Sequence, residues 1–388
     1  MPSDILTPSA PGGGRARIIS IDALRGLVIL LMLLDHTREF FFLHAQVSDP
    51  MDVATTEPAL FFTRLLAHLC APVFVALTGV SAYLYGSAKN GPADASAFLF
   101  TRGLFLVALE WTVINFAWTF DLTPALVFLQ VIWAIGLSMI ALALLLRLPR
   151  AGLIGLGLII VLGHNLLDPV NFTPDRWGYT AWTILHDRGL LDLPWGGQAR
   201  TSYPLLPWIG VIALGYGIGP WFDAHVSPVT RRRRLMLLGG AALALFLLLR
   251  SINHYGEPLP WTAERDALHM AMSFLNLTKY PPSADFLLLT LGIGAILLAL
   301  FERLPRPAIA WLVVFGSAPL FFYILHLYLL HGLNRLAGAL MQQEGLVSVP
   351  SVAAVWLLAA AVAFPCWFAC RWFARHKRAS NRWWMRYL

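Results

Sequence analysis

The chain has 388 residues, 58% of them hydrophobic and only 13% charged, with a mean hydropathy of +0.67; a soluble globule carries about a quarter charged residues, so a water-soluble fold is excluded. The net charge of +7, from 28 basic and 21 acidic residues, shows no interleaving of basic and stacking side chains, which points to membrane topology and anionic lipid and not to nucleic acid. Cys70, Cys366 and Cys370 all lie inside apolar stretches, so a disulfide framework is excluded, and no Gly-rich phosphate loop, zinc signature or internal repeat stands out; no metal is expected.

Residues 1–17 are rich in Pro, Gly and Ser, without a convincing cleavage site, and read as a disordered cytoplasmic tail. Apolar stretches of bilayer-spanning length then fall near 18–37, 60–86, 97–117, 122–146, 151–167, 203–222, 235–252, 284–301, 309–333 and 351–373. They predict an all-α polytopic integral membrane protein of about ten transmembrane helices around a central cavity. Residues 18–373 form the transmembrane domain and 374–388 a basic cytoplasmic tail.

Basic residues gather at alternate ends of these segments: Arg15 and Arg17, Lys89 and Arg102, Arg147 and Arg150, Arg231 to Arg234, Arg303 and Arg306, and Arg371 onward. Positive loops stay inside, so both termini are expected on the cytoplasmic side of a plasma membrane. The opposite side receives the loop with Asp49, Asp52 and Glu57 and the long segments 164–202 and 251–283. Within 164–202, Asp168, Asp175, Trp177, Trp182, His186 and Trp195 mix carboxylates with aromatics in a manner that suits carbohydrate. Trp208 and Trp221 fit an interfacial aromatic belt.

The first segment carries the strongest signal. Asp22, Arg25, Asp35, His36 and Glu39 interrupt an apolar run, and ionisable groups at bilayer depth are costly, so they face protein and usually carry a task. At 100° per residue, the step from Arg25 to His36 brings both onto nearly one face, separated by about 16 Å of helix. Arg25 either snorkels to the headgroups or meets an anionic ligand from the cytoplasm, for which a guanidinium suits bidentate phosphate contact. His36 has Asp35, Glu39 and His44 nearby, a setting in which carboxylates hold an imidazole in one tautomer as a base.

Other segments add candidates. Arg64 and His68 share a face of the second helix and read either as cavity lining or as a headgroup arginine and a core histidine. On the third segment, Arg102 is a candidate second phosphate contact and Glu110 a buried acid needing a partner, with Asn115 beyond it. Tyr323, His326 and His331 line up on the ninth.

Four blocks, SIDALRGLVILLMLLDHTREFF, APVFVALTGVSAYLYG, YPLLPWIGV and PLFFYILHLYLLH, together resemble bacterial relatives of the heparan-alpha-glucosaminide N-acetyltransferase catalytic domain. The Arg25 to His36 spacing is also similar to the arginine, ten residues, histidine motif of the acyltransferase type 3 group in the same superfamily. The resemblance implies transfer of an acyl group, acetyl above all, from cytoplasmic acyl-CoA (acetyl-CoA) to a glycan or lipid-linked sugar on the far side of the membrane. It implies His36 as the essential histidine, with Arg25 and its neighbour Asp22 at the CoA end. In the animal lysosomal branch the active histidine falls a few residues later, which makes His44 a rival.

The expected enzyme is thus an acyl-CoA-dependent O- or N-acyltransferase embedded among membrane lipids. His36 acts as base, Asp35 or Glu39 orients it, and Arg25, Asp22 and Arg102 bind the donor. Arg64, His68, Tyr323 and His326 line the acceptor side. The alternative is a transporter or glycan-handling membrane protein using the same scatter of ionisable residues as a path.

Overall fold

The computed structural model describes residues 18–343, 345–380, 382 and 385; the tail predicted at 1–17 and most of 381–388 lie outside the described residues. The apolar runs fold as helices. In chain order these are α1 (Ile19–Phe41), α2 (Pro58–Ala67), α3 (Cys70–Ser87), α4 (Pro92–Leu109) and α5 (Asn115–Thr119). Strand β1 (Leu126–Leu129), α6 (Val131–Leu145), α7 (Arg150–Gly163), α8 (Tyr179–Leu185), β2 (Gly189–Asp192) and β3 (Gln198–Thr201) follow. Then come α9 (Leu206–Ile218), α10 (Pro228–Ile252), α11 (Ala267–Leu275), α12 (Ala284–Phe301), α13 (Arg306–Gly316), α14 (Pro319–Leu340) and α15 (Val352–Ala379). The last helix runs past residue 373, where the basic tail was expected to begin.

Helix starts follow local chemistry. Ser227, Asp266, Ser283 and Ser351 each accept a hydrogen bond from the backbone N–H three residues on, satisfying one of the four N–H groups a helix start leaves open. The small sheet has order β1-β3-β2, with β1 and β3 parallel and β2 antiparallel to β3.

By length and apolarity, six helical stretches among the described residues qualify as membrane spans, and a seventh does if α13 and α14, bent by 68° at their junction, count as one. All ten predicted stretches contain helix, but the count of ten does not carry over. α6 and α9 are apolar but short, and α1 is diluted by Asp22, Arg25, Asp35, Arg38 and Glu39.

That dilution is tolerable because α1 sits inside the bundle, packed against α2, α3, α12, α13, α14 and α15. Backbones approach closely where glycine allows it. A Cβ on Gly316 would lie 1.8 Å from the Asp22 carbonyl oxygen, and one on Gly26 would lie 2.0 Å from that of Leu312. These two glycines lock α1 to α13 beside the break that starts α14.

Candidate active site

A cavity of about 430 Å³ runs beside α1. Near the helix start its wall includes Asp22, Arg25, Ser81, Tyr85, Arg102 and Lys377; further along come Met32, Cys70, Phe74 and Leu106; beside the helix end come Asp35, His36, Tyr203, Lys279 and Tyr323. Ser317, Pro319 and Leu320, at the break between α13 and α14, also line it, which places irregular backbone against a cavity and not against lipid.

The first end is cationic. Arg25 donates to Ser81 Oγ at 2.5 Å and pairs with Asp22 at 3.4 Å. Arg102 lies over the Phe98 ring at 5.8 Å. Sequence reading missed Lys377, because only the fold returns α15 to the start of α1; Val349 N–H donates to the Phe41 carbonyl, so α15 begins near the end of α1 and descends beside it.

At the second end the histidines form a chain. His326 Nδ1 lies 2.8 Å from the Phe322 carbonyl oxygen, which only accepts, so the proton is on Nδ1 and, in a neutral ring, the lone pair is on Nε2. That Nε2 lies 2.7 Å from His36 Nδ1. His36 therefore donates through Nδ1 and keeps an unprotonated Nε2, the form a base requires. The rings of His36 and His326 are stacked, and Trp118 and Tyr323 meet His36 edge-on at 5.1 and 5.9 Å.

The expected orienters are elsewhere. Asp35 accepts from Arg38 Nε at 3.1 Å and pairs with buried Arg64, while Arg38 also reaches Glu39 at 3.2 Å. Neither carboxylate hydrogen-bonds the His36 ring: two buried arginines claim them, and His326 takes the orienting place. His44 is exposed and packs on Phe42, away from the cavity wall. His68 is buried against Phe286 and, like Arg64, is not on that wall.

Glu110 has a structural partner: its carboxylate accepts from the backbone N–H groups of Gln130 and Trp133 at the start of α6, at 3.4 and 3.0 Å. Asn115 exchanges hydrogen bonds with the Phe128 backbone in β1. His331 lies against the Ala117 carbonyl, and Trp208 is fully buried, not a belt residue.

Lys279 was not found by sequence reading because it comes from a long connecting segment, and Tyr203, in the short link between β3 and α9, was read only as the start of the apolar stretch 203–222. Lys279 is buried, within electrostatic reach of Asp35 and His36, with its Nζ 5.1 Å from the Tyr280 ring centroid. Its loop is clamped on three sides. The Lys279 N–H donates to Asp49 at 3.2 Å. Glu257 accepts from Thr278 N–H at 2.9 Å and from the Ser283 hydroxyl at 2.6 Å. Arg250 donates to the carbonyls of Leu259, Ser273, Phe274 and Asn276. Burial pushes the Asp49 and Glu257 carboxyls above the usual carboxylate range.

The family described as heparan-alpha-glucosaminide N-acetyltransferase, catalytic, matches residues 17–250, more than half of the chain. The matched stretch contains Arg25, His36, Arg64 and Arg102 and ends before Lys279, Tyr323 and His326. No curated protein matches the chain.

Proposed function

The chain belongs to the heparan-alpha-glucosaminide N-acetyltransferase catalytic family, and from that premise we propose that it is a membrane acyltransferase moving an acetyl group from cytoplasmic acetyl-CoA to a hydroxyl or amine of an extracytoplasmic glycan or lipid-linked sugar. One observation carries the reading: a single cavity touches the cationic cluster of Arg25, Arg102 and Lys377 at one end and His36 at the other. Guanidinium and ammonium groups suit the phosphates of CoA. The spacing of about 16 Å along α1 suits an extended pantetheine arm.

In the proposed reaction, His36 Nε2 takes the proton from the acceptor hydroxyl or amine as its oxygen or nitrogen bonds to the thioester carbonyl carbon. The C–S bond then breaks, and the CoA thiolate leaves with the proton returned from the imidazole. His326 keeps His36 in the reactive tautomer. Lys279 stands where a cation can stabilise the tetrahedral oxyanion. The acyl group crosses while the nucleotide stays on the cytoplasmic side, with both termini there.

The test is reconstitution in proteoliposomes with radiolabelled acetyl-CoA outside and candidate sugars inside, for protein oriented with Arg232 outward. Acetylated sugar in the lumen is the expected result. Movement of intact sugar or acetyl-CoA without transfer would overturn the enzyme reading. Label held on the protein in the absence of acceptor would replace direct attack by an acyl-histidine intermediate.

A further inference from the structure

We infer that His164, Asp168 and His186 form a zinc site that staples the long connection between α7 and α9 to the end of the bundle nearest His36. His164 opens the short 3-10 turn after α7, Asp168 follows that turn, and His186 closes α8. One ligand atom from each lies within 4.8 Å of the other two. The site is separate from the cavity, whose wall includes none of the three.

The polar groups here are unsatisfied in a way that a cation resolves. His164 is 2% exposed; neither ring nitrogen makes a hydrogen bond of ordinary geometry, the Pro282 carbonyl lies within reach of one of them as an acceptor, and the other is left unmet, a state that folded interiors avoid. His186, 1% exposed, has Nδ1 3.0 Å from Asp187 Oδ1, and a neutral ring that donates there carries its lone pair on Nε2. That Nε2 faces Asp168 Oδ1 at 3.4 Å and the His164 carbonyl oxygen at 3.2 Å. Several acceptors thus converge beside an unmet imidazole nitrogen of His164. A second proton on His186 would answer the acceptors around it and leave the remaining His164 nitrogen unmet; a divalent cation answers both.

The surroundings match a metal centre. Metal-bound histidines usually donate their second ring N–H to a carboxylate or carbonyl, the place Asp187 holds on His186. Asn165 Nδ2 donates to the other Asp168 oxygen at 2.9 Å, while Asn165 Oδ1 accepts from Ala284 N–H at 2.8 Å, tying the site to the start of α12. Zinc–ligand bonds of about 2.0–2.2 Å give tetrahedral edges of about 3.3–3.6 Å, and the His186 to Asp168 separation already falls there. Two nitrogens and one carboxylate oxygen suit zinc, and partly exposed Asp168 leaves the fourth position to water.

The consequence is mechanical. Leu205 N–H donates to the Ile184 carbonyl at 2.9 Å, so holding α8 holds the chain that delivers Tyr203 to the cavity. No zinc signature marks these residues in the sequence, because the ligands are split across a turn and a helix end.

Detergent-purified protein, dialysed against metal-free buffer, should retain about one zinc per chain by elemental analysis. Cobalt-loaded protein should show the intense visible bands of a tetrahedral centre, and His164→Ala and His186→Ala should lose both signals. Asp187→Asn keeps every ligand and should weaken zinc by about ten- to a hundredfold in competition with a chelating dye, which guards against misfolding of the histidine variants. No zinc uptake by the apo protein in molar excess, or zinc content unchanged in both histidine variants, would overturn the site. These readouts do not involve acetyl transfer, so the zinc inference fails or stands separately from the enzyme reading.

Discussion

The two ends of the cavity are built on different principles. At the start of α1, long cationic side chains from three helices, Arg25, Arg102 and Lys377, meet at the rim, and Arg25 is 21% exposed through its side chain. At the other end His36 and His326 are buried and fixed by one chain of hydrogen bonds, and Lys279 is held by a clamped loop. Rim charges that keep some exposure are suited to capturing an anion from water, where each contact contributes modestly. Fixed imidazoles are suited to chemistry, where small misplacement is costly.

That contrast breaks first at His36. His36→Ala should lower kcat by about two to four orders of magnitude with acetyl-CoA affinity retained, as read by calorimetry beside turnover; near-normal turnover, with His44→Ala inactive, would move the chemistry to the exposed turn. Lys279→Met should cost roughly 10²–10³ in kcat, as loss of one oxyanion-stabilising group does, again with little change in donor affinity. His326→Phe removes the acceptor for His36 Nδ1 and should cost about ten- to a hundredfold, by analogy with partners that fix ligand tautomers; a kcat–pH profile unchanged in shape would reduce His326 to packing.

The rim should respond in binding. Arg25→Ala should raise the acetyl-CoA Kd by about tenfold or more, the scale of a charge-assisted hydrogen bond, and Arg25→Lys should recover only part because the planar fork is lost. Unchanged affinity in calorimetry would leave Arg25 as a snorkelling residue. The smallest effect belongs to His44→Ala, which should change turnover by no more than about twofold, as exposed substitutions do.

The helical membrane architecture was legible because apolar runs announce themselves, and α1 was legible because its charges contradict its surroundings. What those charges contact was not. Asp35 looked like a partner for His36 because it is adjacent in sequence, but adjacent residues of a helix point in different directions, and Arg64 arrives from another helix to claim it. Glu110 looked like a buried acid needing a partner, and the partners it finds are backbone N–H groups, which leave no residue-specific trace in a sequence. Lys279 was invisible because the long segment between α10 and α12 has no period, and Tyr203 because it opens an apolar stretch like any other; only the bonds of Asp49, Glu257 and Arg250 to backbone groups explain how that segment holds Lys279 at the site.

Arg25 and His36 occupy one unbroken helix, Ile19–Phe41, gripped on six sides by its neighbours. Their separation is therefore set by helical rise and not by any hinge, and under the proposed reaction α1 acts as a fixed gauge for the donor. On that proposal, a carrier is accepted when its anionic head and its thioester are one gauge length apart. Truncated carriers such as acetyl-pantetheine can still reach the imidazole but forgo the anchor at the rim. The protein would thus discriminate among acyl donors by length, without needing a pocket shaped to adenine.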